Sequence, residues 1–174
     1  MSDDTALGLY LHIPFCRHRC AYCDFNTYTS VNDLMVDYVA ALRNEICQVG
    51  GQDRRPAATL YFGGGTPSLL SAEAIGAIIQ EIEATFLLDC QAEISMEANP
   101  ETLSPEYLAA VCEAGVNRLS LGAQSANPTE LALLERKHEF DTVIRAVDQA
   151  RTAGLDNFSL DLIYGLPGQT LGSW

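Results

Sequence analysis

Five short apolar runs separated by stretches of helical periodicity constrain this chain more than any other feature. "GLYLHI", "ATLYF", "AEISMEA", "RLSLGA" and "NFSLDLIYG" each have the length and composition of a β-strand. Between the first two, residues 33–49 read as a helix with Leu34, Tyr38, Leu42 and Ile46 on one face. After Ser71 as N-cap, Ile75, Ile78, Ile79, Ile82 and Phe86 follow the i, i+3, i+4, i+7, i+11 pattern of a core-facing helix. Ser104-Pro105 places a cap and a proline at the start of a third helix, with Leu103 and Leu108 spaced as a staple and Gly115 ending it. Asn127-Pro128-Thr129-Glu130 has the form of a capping box, and Asp141 is expected to cap a last helix that stops at Gly154.

Strands of near-continuous apolar character that alternate with helices imply a parallel sheet with right-handed crossovers. The fold class expected is α/β, an incomplete parallel (β/α) barrel with about five strands present. An open, doubly wound sheet is the alternative. No GxGxxG follows the first strand, which counts against a dinucleotide fold. A closing barrel needs at least one more unit beyond Trp174, so residues 1–174 are read as the N-terminal part of a core domain, the rest of the barrel and a C-terminal domain being absent. The open edge of the fifth strand leads us to expect poor solubility when 1–174 is expressed alone.

In parallel α/β folds, functional groups gather at the C-terminal ends of the strands. Cys16, Cys20 and Cys23 follow strand one, and Gly63-Gly64-Gly65-Thr66 follows strand two. Glu97 ends strand three, Gln124 ends strand four, and Asp161 lies late in strand five. All five marks belong to one rim.

The cysteine loop, "HIPFCRHRCAYCDF", needs its own explanation. A structural zinc site takes four protein ligands, usually as two separated pairs, and a second pair is missing. Cys47, Cys90 and Cys112 stand alone and are read as core. Cys20-Ala21-Tyr22-Cys23 has redox-motif spacing, yet no helix start obviously follows and Cys16 would be surplus. Three thiolates suit a [4Fe–4S] cluster with one iron left open.

The other residues keep ordinary alternatives on the sequence alone. The glycine run could be a plain βα turn, His12 a packed strand residue, Glu97 a salt-bridge partner and Arg136 part of a solvated helix end. Arg17, His18 and Arg19 make the cysteine loop locally basic, either as a solvated loop or as a steering patch. The net charge of −13 argues against a nucleic-acid surface. The acidic "MSDDTALG" start has no signal-peptide character, and no run approaches a membrane span, so a cytoplasmic address with reduced thiols is expected.

C-x3-C-x2-C after a first strand, with Tyr22 before the last cysteine, resembles the radical S-adenosylmethionine (SAM) superfamily. "YLHIPFC", "YFGGGTPSLL", "SMEANPETL", "RLSLGAQS", "LLERKH" and "DLIYGLPGQT" occur in order and are similar to the oxygen-independent coproporphyrinogen III oxidase family. Within it they look most like the HemW-like heme-chaperone branch, and the likeness spans essentially the whole chain. The oxidases carry a further cysteine two residues after the third; Phe25 stands there in this chain.

The resemblance implies that Cys16, Cys20 and Cys23 hold the cluster and that the open iron is chelated by the amine and carboxylate of SAM. One electron from the cluster would then cleave SAM to a 5′-deoxyadenosyl radical. It implies that Gly64 and Gly65 admit the methionyl group and that Thr66 adds a hydroxyl contact. Tyr10 would lie near the cofactor and His12 near the cluster, with Tyr22 over the adenine. Glu97 would meet the amino or sulfonium group, Gln124 the ribose, Arg136 a carboxylate, and Asp161 would hydrogen-bond the cofactor.

Two functions follow from it: a heme chaperone that binds heme and passes it on, or a coproporphyrinogen III oxidase making protoporphyrinogen IX. The partners implied are heme or porphyrin, an electron donor of flavodoxin or ferredoxin type, and a heme acceptor protein that could be membrane-bound. A zinc-binding structural protein is the third reading.

Overall fold

The computed structural model describes residues 5–53 and 55–174. The acidic residues 1–4, part of the argument about a signal peptide, lie outside the described residues. The chain runs β1 (Leu7–Ile13), α1 (Met35–Val49), β2 (Pro56–Gly64), α2 (Ala72–Thr85), β3 (Leu87–Ala98), α3 (Pro105–Glu113), β4 (Arg118–Gln124), α4 (Pro128–Leu133), α5 (Phe140–Thr152) and β5 (Phe158–Leu162). Short 3-10 turns precede α1 and follow β2 and β3.

The five strands form one parallel sheet in the order β1-β2-β3-β4-β5. Each crossover therefore adds its strand on the same side. A doubly wound sheet would reverse direction at a switch point; a barrel wall does not. The sheet stays open.

One face of the sheet is the core. Leu60, Phe62, Met96, Leu119 and Leu121 are fully buried there, against Ile75, Ile78, Ile79 and Ile82 of α2 and Leu108 and Val111 of α3. The opposite face is polar, contrary to the near-continuous apolar strands expected. Tyr61, Glu93, Ser95, Glu97, Arg118, Ser120, Ser159 and Asp161 occupy the alternate positions and bond across it. The two-residue period of a strand sorts the two sets. Burial of the apolar set hides the polar set only when the sequence is read as composition.

The helix ends show their local chemistry. Ser71 Oγ accepts from Ala74 N at 3.2 Å and Ser104 Oγ from Tyr107 N at 3.2 Å, as expected. Gly115, at φ +112, closes α3 with Val116 N bonded to Val111 O and Gly115 N to Cys112 O, a Schellman ending. Gly154, at φ +90, ends α5 in the same way.

Several expectations need correction. Glu139, and not Asp141, is the N-cap of α5; Asp141 sits in the first turn, where its charge favours the helix N-terminus. Asn127 does cap α4, but Glu130 does not reach back in a capping box. Its carboxylate turns inward to accept from the Ser125 hydroxyl at 2.6 Å. Leu34 is about half exposed, whereas Tyr38, Leu42 and Ile46 pack on the core. Cys47 and Cys90 are exposed, and only Cys112 packs against the core. The Cys47 thiol donates to Glu81 Oε1 at 2.8 Å on the surface between α1 and α2.

Candidate functional site

The cysteine loop is tied at its base. Tyr28 N donates to Pro14 O at 2.8 Å and Cys16 N to Tyr28 O at 3.0 Å, so the residues between bulge from a closed neck. A second tie comes from the glycine run, where Gly65 N donates to Ile13 O and Thr66 N to Phe15 O, each at 2.8 Å. A Cβ at Gly65 would lie 2.6 Å from Phe15 O, so only glycine lets β2 approach this closely. Gly64 has φ +117, and a Cβ there would stand 2.6 Å from the His12 ring. The glycines thus seat the loop on the sheet as well as lining the cavity.

Cys16, Cys20 and Cys23 all line one cavity of about 420 Å³ above the C-terminal ends of the strands. Tyr22, Gly64, Gly65, Thr66, Glu97, Gln124, Arg136 and Asp161 line it too. Of the residues expected beside the cofactor and the cluster, His12 stands outside the cavity lining, and so does Tyr10. Tyr10 is 57% exposed and stacks on Tyr61 with ring centroids 6.1 Å apart. Its hydroxyl meets His12 Nδ1 at 3.0 Å, and His12 Nε2 meets Asn26 O at 2.9 Å, which anchors the end of the cysteine loop.

Glu97 is held from two sides. Tyr61 Oη donates to Oε1 at 2.8 Å and Gly64 N donates to Oε2 at 2.9 Å. No ion-pair partner of Glu97 occurs among the described residues. Burial, reinforced by the bond to Glu97, raises the Tyr61 pKa, which keeps the phenol a donor. Asp161 accepts from Ser120 Oγ at 2.8 and 3.0 Å. Gln124 has φ +66, a strained conformation for a residue with a side chain, and aims into the cavity beside Gly122. Ile163 N donates to its carbonyl at 2.9 Å, which ties the C-terminal end of β5 to that of β4.

Arg136 sits on the cavity wall. Its Nη2 donates to Asn99 Oδ1 at 2.6 Å and Gly122 O at 3.0 Å, and its Nη1 lies 3.9 Å from Cys20 Sγ. Behind Cys16, Thr66 Oγ1 lies 3.6 Å from the sulfur. His18 Nε2 meets Glu135 Oε2 at 3.3 Å, which ties the loop to the segment after α4. Sequence reasoning misses Tyr61, Asn99, Ser120 and Gly122. A signal for Tyr61 and Ser120 does exist, in the alternation of "TLYF" and "RLSLGA". Asn99 has none beyond its place after Glu97.

The family description of the radical SAM superfamily matches residues 10–174. The chain belongs to that superfamily. Heme chaperone HemW of Mycobacterium tuberculosis is 43% identical over 167 residues, covering 94% of this chain and 43% of the relative. Heme chaperone HemW of Bacillus subtilis is 41% identical over 93% of this chain and 43% of its own length. Oxygen-independent coproporphyrinogen III oxidase of Bradyrhizobium diazoefficiens is 39% identical over 97% and 38%. The structure of coproporphyrinogen III oxidase (HemN) from Escherichia coli, a radical SAM enzyme, superposes with a TM-score of 0.88 at 34% identity, covering 97% of this chain and 39% of that one. The chain spans about two fifths of the length of these relatives. Archaeal Elp3 from Methanocaldococcus infernus, at 18% identity and TM-score 0.60, shares the fold.

Superfamily membership implies a [4Fe–4S] cluster and SAM, and the cavity fits both. Among the described residues no three His, Cys, Asp or Glu side chains close on a single ion. Cys16, Cys20 and Cys23 line the same cavity, and they are the residues that would hold the cluster. Burial pushes the Cys16 thiol up, the Thr66 hydrogen bond opposes this, and Cys23 and Cys20 add to it. Burial therefore favours the neutral thiol, and a thiolate would form there only beside a cation such as a metal centre. The buried Arg136 Nε, without a partner among the described residues, is a donor left for a ligand.

Proposed function

We propose that this chain is the cluster- and SAM-binding part of a heme chaperone, which binds heme and hands it to an acceptor protein. The 41–43% identity to proteins named heme chaperone HemW supports this reading. Identity alone does not separate it from the oxidase, at 39%. Residue 25 does. Phe25 stands on the cavity lining, where the oxidase pattern places a further cysteine. That observation carries the proposal.

Cys16, Cys20 and Cys23 hold the cluster in this account, which supplies one-electron chemistry to a SAM molecule when both are bound. The chain's own residues bind and orient that molecule. Glu97, a carboxylate with neutral donors on both oxygens, takes the amino group. Gly64 and Gly65 let the methionyl chain lie against the backbone, and Thr66 adds a hydroxyl. Gln124 and Asp161 meet ribose hydroxyls as acceptors, Tyr22 covers the adenine, and Arg136 faces the carboxylate. Tyr10 acts one side chain away, bracing Tyr61 and through it Glu97.

No helix among the described residues is long and apolar enough to cross a membrane. We place the protein in the cytoplasm, with a flavodoxin- or ferredoxin-type reductant and an acceptor that a membrane protein could fill. Cluster-loaded full-length protein given heme and an apo-acceptor should transfer heme without consuming SAM. Conversion of coproporphyrinogen III to protoporphyrinogen IX under reducing conditions would instead make it the oxidase.

A further inference from the structure

One amide joins the environments of two of the cysteines. Asn99 follows the last residue of β3, and its backbone N donates to Ser68 Oγ at 3.3 Å. Its Nδ2 donates to Thr66 Oγ1 at 3.2 Å, while its Oδ1 accepts from Arg136 Nη2 at 2.6 Å. The orientation is forced: a guanidinium only donates, so the amide oxygen must face Arg136 and the amide nitrogen Thr66. Thr66 Oγ1 accepts from Asn99 and keeps its own proton, and toward a cluster-bound Cys16 thiolate, which has none, the hydroxyl is the donor across the 3.6 Å to Sγ. Arg136, fixed through Nη2, presents Nη1 to Cys20 Sγ at 3.9 Å. Gly122 leaves room for this: a Cβ there would meet Arg136 Nη2 at 3.3 Å and Asn99 Oδ1 at 3.4 Å.

We propose that Asn99 is a positioning residue for the cluster: it directs the Thr66 hydroxyl and the Arg136 guanidinium so that both donate to the cysteine sulfurs that hold the iron. Donors on cluster sulfurs stabilise the more negative, reduced state, so the pair raises the reduction potential. Thr66 is buried and Arg136 half-buried, which strengthens both contacts. The inference rests on the cluster reading above, and its test separates the two.

The midpoint potential of the cluster-loaded protein, measured by EPR-monitored redox titration without SAM, should be lower in Asn99→Ala than in wild type at equal iron and sulfide content. Thr66→Val should lower it as well, and Asn99→Ala added to Thr66→Val should shift it less than Asn99→Ala does alone. Thr66→Ser, which keeps the hydroxyl, should restore the wild-type value. Wild-type protein exchanged into deuterated buffer should also show exchangeable deuterons coupled to the reduced cluster by electron–nuclear double resonance. An unchanged potential in Asn99→Ala with an intact cluster overturns the role of Asn99. Should that variant fail to assemble a cluster, missing deuteron couplings in wild type overturn it instead. A wild-type protein that assembles no cluster brings down the parent reading as well.

Discussion

In the proposed site, cofactor binding turns on Glu97. Both of its oxygens are occupied by neutral donors, so its negative charge is free to meet a cation. Glu97→Gln keeps the shape and removes the charge. We expect SAM affinity to drop about tenfold, equivalent to about 1.4 kcal/mol, in calorimetry on the cluster-loaded protein, with the circular dichroism unchanged. Unaltered affinity would remove Glu97 from the site. Two glycines separate backbone strain from crowding. Gly115 has φ +112, and a Cβ added there would have its nearest atoms at 3.7 Å or more, whereas at Gly64, φ +117, it would stand 2.6 Å from His12. Gly115→Ala should therefore lose about 1–2 kcal/mol from the left-handed conformation alone. Gly64→Ala should lose more and also weaken the cysteine loop that His12 anchors. Urea denaturation of both variants checks the order. Equal losses would mean the His12 ring moves aside freely. His138 sets a pH dependence. Its side chain is fully buried, its Nε2 bonds Ala123 O at 3.2 Å beside the strained Gln124, and burial holds its pKa below the ordinary value of 6.5. Arg136 opposes protonation too, while the Ala123 carbonyl and Glu101 favour it. Because the unfolded chain takes up the proton more readily, stability is full above about pH 6.5 and is lost as pH falls below it. Denaturation midpoints at pH 7.5 and 5.5 should differ more for wild type than for His138→Gln.

At the scale of elements, the helices are the most legible part of the sequence. Ser71 and Ser104 cap where their spacing predicts, because an N-cap needs only a local side chain and a local amide. Ser104→Ala should lose about 1 kcal/mol, as caps generally do. The failures have a common cause. Spacing alone misplaces Asp141, Glu130 and Leu34, because each is decided by what lies across the fold: Ser125 draws Glu130 inward, and no element covers Leu34. Residue type alone puts Cys47 and Cys90 in the core, yet both are surface residues. The rim marks survive because the end of a parallel strand is set by connectivity, which the order of elements reveals. Tyr10 is out of the cavity because the Tyr61 ring, from the neighbouring strand, stands between it and Glu97. Pairings of that kind are invisible before register is known.

At the scale of the whole molecule, the sheet has two open edges among the described residues, where β4 alone pairs with β5. Leu160 and Leu162 on that strand are 38% and 51% exposed. Residues 1–174 expressed alone should associate with rising concentration in light scattering; a monodisperse species that melts cooperatively would contradict this. The polar face of the sheet, through Tyr61, Glu97, Ser120 and Asp161, lines the cavity.

Three cysteines acting together on one metal cluster are what every role assigned above depends on. The most direct test is EPR of anaerobically reconstituted, chemically reduced protein, recorded with and without SAM. We predict the signal of a reduced [4Fe–4S] cluster whose shape changes when SAM is added, lost in Cys20→Ser. Colourless, EPR-silent protein, or protein that takes up zinc in place of iron and sulfide, would contradict it.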